Sequence, residues 1–220
     1  MRKLSIRKSI IYAVLLSFVA VATAYADGAP TYEVTITNLT RKQVIPPPVV
    51  ITHKNSFQLF YPGGAAIPEL ATLAEEGDPG QLLGYLDTQP DVYDFAAAEG
   101  PVLPGKSVTL KVGARHRARF LTAVGMLATT NDAFFGVRNV RLPFYGMTRT
   151  TAVAYDAGSE ANSELCEFIP GPPCGNHLHD DSEAEGFIHV HSGIRDIGDL
   201  NPANMDWRNP VVEIKVRRLY

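Results

Sequence analysis

Two short stretches of this chain place a carboxylate where it could do chemistry. They are Asn131-Asp132-Ala133-Phe134-Phe135-Gly136 and Tyr155-Asp156-Ala157-Gly158-Ser159-Glu160. Each sets an acid beside apolar, strand-like residues and a glycine turn. Calcium takes six to eight oxygen ligands in irregular geometry, so loops that gather Asp and Glu from distant parts of a chain suit it. Asp132 is expected where a loop enters a strand, and Asp156 at the end of another. Gly158 would let the next turn curl until Glu160 faces the same ion as Asp156. An Asp at a strand end is also a common turn former that bonds its own backbone. Spacing alone leaves both readings open.

A second group of residues suits softer cations. Four of the six histidines, His177, His179, His189 and His191, fall within 15 residues. Two residues apart on a strand, His189 and His191 project from one face. His177-Leu178-His179-Asp180-Asp181 could approach them across a turn. Neutral imidazole suits zinc, copper or nickel, which makes the four a candidate transition-metal site. In the alternative, His189 and His191 pack on a sheet face and the other two are solvated.

Other chemistries lack their signatures. No Gly-x-Ser-x-Gly elbow, phosphate loop or dinucleotide fingerprint occurs. No histidine follows His191, which removes an oxygenase of the cupin type. The cysteines, Cys166 and Cys174, do not form a C-x-x-C redox pair. A non-enzymatic protein is expected.

These groups need elements to hold them. Tyr32, Val34 and Ile36 alternate with Glu33, Thr35 and Thr37, the period of a half-buried strand. Val49–Thr52, Ser107–Val112, Arg119–Leu127, Phe134–Val140, Thr151–Tyr155, Phe187–His191 and Val211–Leu219 also read as strands. Residues 66–87 form the one helical region, where Leu70, Leu73 and Ala74 recur at helical spacing. Gly77, Pro79 and Gly80 divide it into two short helices at most. Short strands with 18 glycines and 16 prolines favour an all-β, antiparallel sandwich. The polar, proline-rich segment 157–186 reads as a functional or stapled loop. Trp207 precedes the closing strand and is expected to be buried.

The first 26 residues read as an export signal. Arg2, Lys3, Arg7 and Lys8 precede an apolar run from Ile10 to Ala22, and Ala24-Tyr25-Ala26 supplies a small-x-small cleavage pattern. The run is shorter than the roughly 20 residues of a membrane span. Cleavage would leave 194 residues and, with four basic groups gone, change the charge from −3 to −7. Such a surface binds nucleic acid poorly. A secreted or periplasmic protein without a transmembrane anchor is expected, its domain spanning 27–220. Export makes Cys166 and Cys174 a disulfide candidate, a staple that contributes roughly 2–3 kcal/mol by closing a short loop.

The two acidic stretches also carry a family resemblance. Asp132-Ala133-Phe134-Phe135-Gly136 is similar to an Asp-aromatic-rich-Gly segment of the spondin domain. Tyr155 to Glu160 is similar to its aromatic-Asp-Ala-Gly-(Ser/Thr)-acid segment. This is the module that F-spondin and mindin carry and that exported bacterial proteins carry alone. The likeness runs from the strand at Tyr32 to the closing strand. It implies an eight-stranded sandwich resembling calcium-dependent membrane-binding domains, with Asp132, Asp156 and Glu160 as calcium ligands at one end. Two positions depart from the pattern: Ala133 stands where a tryptophan is frequent, and Glu160 where an Asp is usual. The implied role is adhesion or ligand binding at the cell envelope. The partner would be an envelope protein, a glycan or a phospholipid headgroup. A periplasmic zinc- or copper-binding protein using the four histidines is the alternative.

Overall fold

Along β1 (Thr31–Asn38), Tyr32, Val34, Ile36 and Asn38 are buried and the residues between them are half-exposed. The sequence alternation is thus a real division between a core face and a wet face. The computed structural model describes residues 29–115 and 117–219. The export signal expected over residues 1–26 lies outside the described residues.

The remaining strands are β2 (Val49–His53), β3 (Val92–Ala97), β4 (Ser107–Gly113), β5 (Phe120–Met126), β6 (Ala133–Arg141), β7 (Met147–Asp156), β8 (His189–Val190) and β9 (Val212–Arg218). They pair antiparallel in the order β3-β2-β5-β6-β7-β9-β1-β4, with the two-residue β8 on β7. One strand serves both layers. Met147–Ala152 of β7 pairs with β9, whereas Val153–Asp156 pairs with β6. The far edges nearly meet: Thr52 Oγ1 donates to the Gly113 carbonyl at 2.7 Å, and the Gly113 N–H donates to Asp94 Oδ2. The result is an antiparallel, nearly closed sandwich, as the sequence predicts.

Two apolar layers flank the sheet of β2, β5 and β6. Val50, Leu121 and Phe135 face inward to Val34, Ile36, Ile214 and Val216. Their sequence neighbours Val49, Ile51 and Phe134 face outward to Leu70, Leu73, Leu82 and Leu86. Because successive side chains on a strand point to opposite faces, burial on both sides gives an unbroken apolar run. Those leucines belong to α1 (Pro68–Glu76) and α2 (Gly80–Asp87), the pair expected from residues 66–87. Pro68 opens α1. Gly77 closes it in the left-handed region, its N–H donating to Leu73 O at 3.0 Å.

The structure adds β3 and a one-turn helix, α3 (Pro202–Met205), which periodicity does not reveal. Every residue of β3 is half-buried, so no alternation marks it. The expected strand over 187–191 is only two residues long. Trp207 is buried and packs on His191. Cys166 and Cys174 form a disulfide, and the Gly171 N–H within that loop donates to Ala128 O at 2.7 Å. Among the described residues no helix is long and apolar enough to cross a membrane.

Candidate metal centre

The register of β6 on β7 sets Ala133 opposite Asp156. Asp132 therefore enters one strand beside the point where Asp156 leaves the other. The turn before β6 is clamped by Thr130, whose hydroxyl donates to Leu127 O at 2.6 Å and accepts from Ala133 N at 3.0 Å. Below this, Phe134 and Tyr155 lie 5.7 Å apart and Phe60 meets both edge-on. Aromatic packing thus fixes the strand ends that carry the acids.

All three sequence-predicted carboxylates are buried: Asp132 is 0% exposed, Asp156 1% and Glu160 2%. Asp132 Oδ2 accepts from the backbone N–H groups of Ser159 at 2.8 Å and Glu160 at 3.1 Å. Its Oδ1 is buried without a hydrogen-bond partner. Burial, with the charge of Asp156, pushes the Asp132 pKa up to about 7 despite those two bonds. Asp156 Oδ1 accepts from Gly158 N at 2.8 Å, the turn-forming bond that an Asp at a strand end makes. Its Oδ2 accepts from Asn162 Nδ2 at 2.6 Å. Burial raises this pKa to about 6, and the charge of Glu185 adds to it. Burial also lifts Glu160 to about 7, against a hydrogen bond from His179. Buried carboxylates this close favour either protons or a cation.

Gly158 makes the turn between Asp156 and Glu160 feasible. Its φ is +67°, and a Cβ there would stand 2.4 Å from the Phe187 carbonyl oxygen. Only glycine satisfies both conditions. The resulting turn aims the Ser159 and Glu160 amides at Asp132, while the Glu160 side chain goes to His179.

The histidines divide into two pairs. Antiparallel pairing of β8 with β7 sets His189 opposite Asp156. His189 Nδ1 lies 3.5 Å from Asp156 Oδ1, and His191 Nε2 lies 3.9 Å from Oδ2. The two do share a face, as strand spacing predicts. They differ in chemistry. His191 is held neutral, its pKa lowered to about 4 by burial and by the neighbouring charges of His189 and Arg195. Its Nδ1 lone pair accepts from Gly193 N at 2.9 Å, so Nε2 carries the proton. His189 Nδ1 is buried with no hydrogen-bond partner.

His177 and His179 instead dock on the end of α1. His177 Nδ1 lies 3.0 Å from Glu76 Oε2. His179 Nδ1 lies 2.5 Å from Glu160 Oε1, and its Nε2 2.6 Å from Glu76 Oε1. Burial alone would lower the His179 pKa, but hydrogen bonds and charge from Glu160 and Glu76 outweigh it and raise it. With a carboxyl group at each nitrogen, His179 in its protonated form can donate to both.

Among the described residues two groups of close donors form, each with ligand atoms within 4.8 Å of one another. One is Asp156, Glu185 and His189; the other is Glu75, Glu160 and His179. Neither contains all four histidines. Asp132 stands between the groups, feeling the charge of Asp156 and bearing on Glu160. Beside Asp156 lies a cavity of about 80 Å³, also lined by Asn162, Glu185, His189 and His191, with room for an ion and waters. Glu164 lines it too, but its carboxylate is committed to the N–H groups of Arg195, Asp196 and Ile197 at 2.6–3.1 Å.

Sequence reasoning missed Glu75, Glu76 and Glu185. One signal existed for the first two. Acids in the last turn oppose the helix macrodipole, and α1 ends on Glu75-Glu76 with no basic residue. Glu185 belongs to an acidic run from Asp180, and nothing local distinguishes it. No family model matches this chain, and no curated protein matches it either.

Proposed function

We propose that the chain is an exported, non-enzymatic, calcium-binding sandwich of spondin type, serving adhesion or ligand binding at the cell envelope. One observation carries the metal reading: Asp132 Oδ1 is fully buried, lacks a partner and sits beside a second buried carboxylate. Buried polar atoms are nearly always satisfied, and an unsatisfied one calls for a bound species. The proposed donor set, Asp132, Asp156 and Glu160 with Glu185 beside Asp156, is all oxygen, which suits a hard cation, but Glu160 stands in the other group, with Glu75 and His179. Asp132 would offer Oδ1, since Oδ2 anchors the 158–160 turn. Glu160 would exchange His179 for the ion. Bound calcium supplies positive charge that lets these acids ionise together in a buried site.

The test is titration of the chelator-treated protein with calcium, followed by heat and by melting temperature. At a calcium level about 100 times the dissociation constant, binding to the native state alone stabilises by about 2.7 kcal/mol. Asp132→Asn retains an oxygen for the Ser159 and Glu160 amides while removing the charge. It should abolish most of that stabilisation and leave the metal-free protein equally or more stable. No thermal response of the parent protein to millimolar calcium would sink the assignment.

A periplasmic zinc or copper binder is the second reading, and His189 favours it. Its unpartnered Nδ1 belongs to the group with Asp156 and Glu185, a mixed nitrogen and oxygen set that suits zinc. His189→Gln should then abolish zinc binding and spare calcium binding. Unchanged zinc affinity in that variant would eliminate this reading.

A further inference from the structure

The end of the sandwich away from the carboxylates has the opposite electrostatic character. β6 runs from Ala133 at the acidic end to Arg141, a rise of roughly 25 Å. The pairings Phe120↔Arg141, Met147↔Arg217 and Tyr32↔Arg218 gather the strand termini there. A cleft of about 620 Å³ opens between them, lined by Tyr32, Arg119, Arg141, Phe144, Tyr145 and Arg218 among others. Arg115 also lines it, and Arg117 lies just beyond.

Two features set this end apart. First, among the described residues Arg115, Arg117, Arg119 and Arg141 form no ion pair with a carboxylate, although the chain holds 23 acids to 20 bases. Nearby Arg149 and Arg217, by contrast, pair with Glu213 and Glu33. Second, the hairpin between β6 and β7 projects apolar side chains into solvent. Phe144 is 65% exposed, Tyr145 83% and Met147 54%. The guanidinium groups of Arg119 and Arg218 lie 5.7 Å and 5.3 Å from the centre of the Phe144 ring, so cations ring the apolar tip.

We propose that this arginine-ringed aromatic tip docks on an anionic phospholipid bilayer, independently of calcium. Guanidinium groups match phosphate oxygens in a fork geometry. Aromatic side chains settle at the level of the headgroups, with their apolar bodies toward the acyl chains. A soluble anion would engage the arginines alone and leave the exposed Phe-Tyr-Met tip without a role. The carboxylate end then points away from the membrane, open to calcium and to a partner.

Phe144→Trp provides a local probe, because the native Trp207 is buried and remote from lipid in this arrangement. With chelator present, its emission should shift to the blue on adding vesicles of phosphatidylglycerol and phosphatidylcholine, and should stay in place with phosphatidylcholine alone. In vesicle sedimentation, Arg119→Ser with Arg141→Ser should weaken binding to the anionic vesicles roughly 30-fold relative to the parent, the loss of two basic contacts at such a surface. Parent and variant are both the exported form, without residues 1–26, so that segment makes no contribution. Equal sedimentation of parent and variant would overturn the proposal. So would an unmoved emission at position 144, or a shift produced equally by glycerol phosphate or heparin without lipid.

Discussion

Glu160 Oε1 and His179 Nδ1 stand 2.5 Å apart, a hydrogen bond between a buried carboxyl group and an imidazole whose other nitrogen meets Glu76. The imidazole occupies the coordination that a metal at Glu160 would take. His179→Gln should therefore have two opposite effects. The metal-free protein should melt at a lower temperature, because a buried acid loses its partner. Calcium affinity should rise several-fold, because the group competing for Glu160 is gone. Calorimetry on both proteins checks this; an unchanged affinity would remove Glu160 from the ligand set.

The pH dependence of the metal-free protein should be unusual in sign. Asp132 and Glu160 have folded pKa values of about 7 and Asp156 about 6, all above their ordinary carboxylate values. The folded state therefore holds protons that the unfolded state has released. Their contribution is fully present below the ordinary carboxylate range and is lost as pH rises through 6 to 7. His179, also raised, acts in the same direction. His191 is lowered to about 4 and opposes them, but only below its ordinary value of 6.5. Between pH 6.5 and 8 its influence is small, and the melting temperature in chelator should fall. Calcium should abolish the fall, and calcium affinity should climb over the same window as protons leave. A melting temperature that is level or rising between pH 6.5 and 8 in chelator would contradict the burial of these ionisable groups.

Gly158→Ala should destabilise the fold and disturb the site together. The left-handed φ of +67° penalises any side chain, and the 2.4 Å approach to Phe187 O leaves no space for one. Strain of this kind amounts to roughly 1–3 kcal/mol. The turn that aims the Ser159 and Glu160 amides at Asp132 would relax. Calcium affinity should drop although no ligand has changed, as titration of the variant would reveal. Retention of parental affinity would show that the turn does not organise Asp132.

The Cys166–Cys174 bridge staples the loop 157–186 close to where it docks on Ala128. Unreduced protein should show no free thiol in denaturant. Replacing both cysteines with Ser should lower stability by roughly 2–3 kcal/mol, the chain entropy of a short closed loop. A denaturant midpoint identical to the parent's would mean that the loop is held by its other contacts alone.

Much of this architecture follows from local sequence. The alternation in β1 and β9, the double-faced run Val49–Ile51 and the leucine spacing in α1 each report which side chains leave water. That information lies within a few residues of chain. So does the chemistry of the strand ends: Asp132 and Asp156 flank apolar runs, Gly158 permits the turn, and Cys166 and Cys174 are eight positions apart.

Other features depend on packing between distant segments. β3 lacks a period because it is half-buried throughout, so only its pairing with β2 identifies it. The histidines, adjacent in sequence, separate because β8 pairs with β7 whereas the preceding loop crosses to α1. His177 and Glu76 are 101 residues apart, and no local pattern links them. The division of charge into an acidic end and an arginine-ringed end is likewise absent from the order of residues. It arises because antiparallel pairing carries one terminus of every strand to the same end of the sandwich. Strand register is a property of the whole sheet, set by which faces can be buried together.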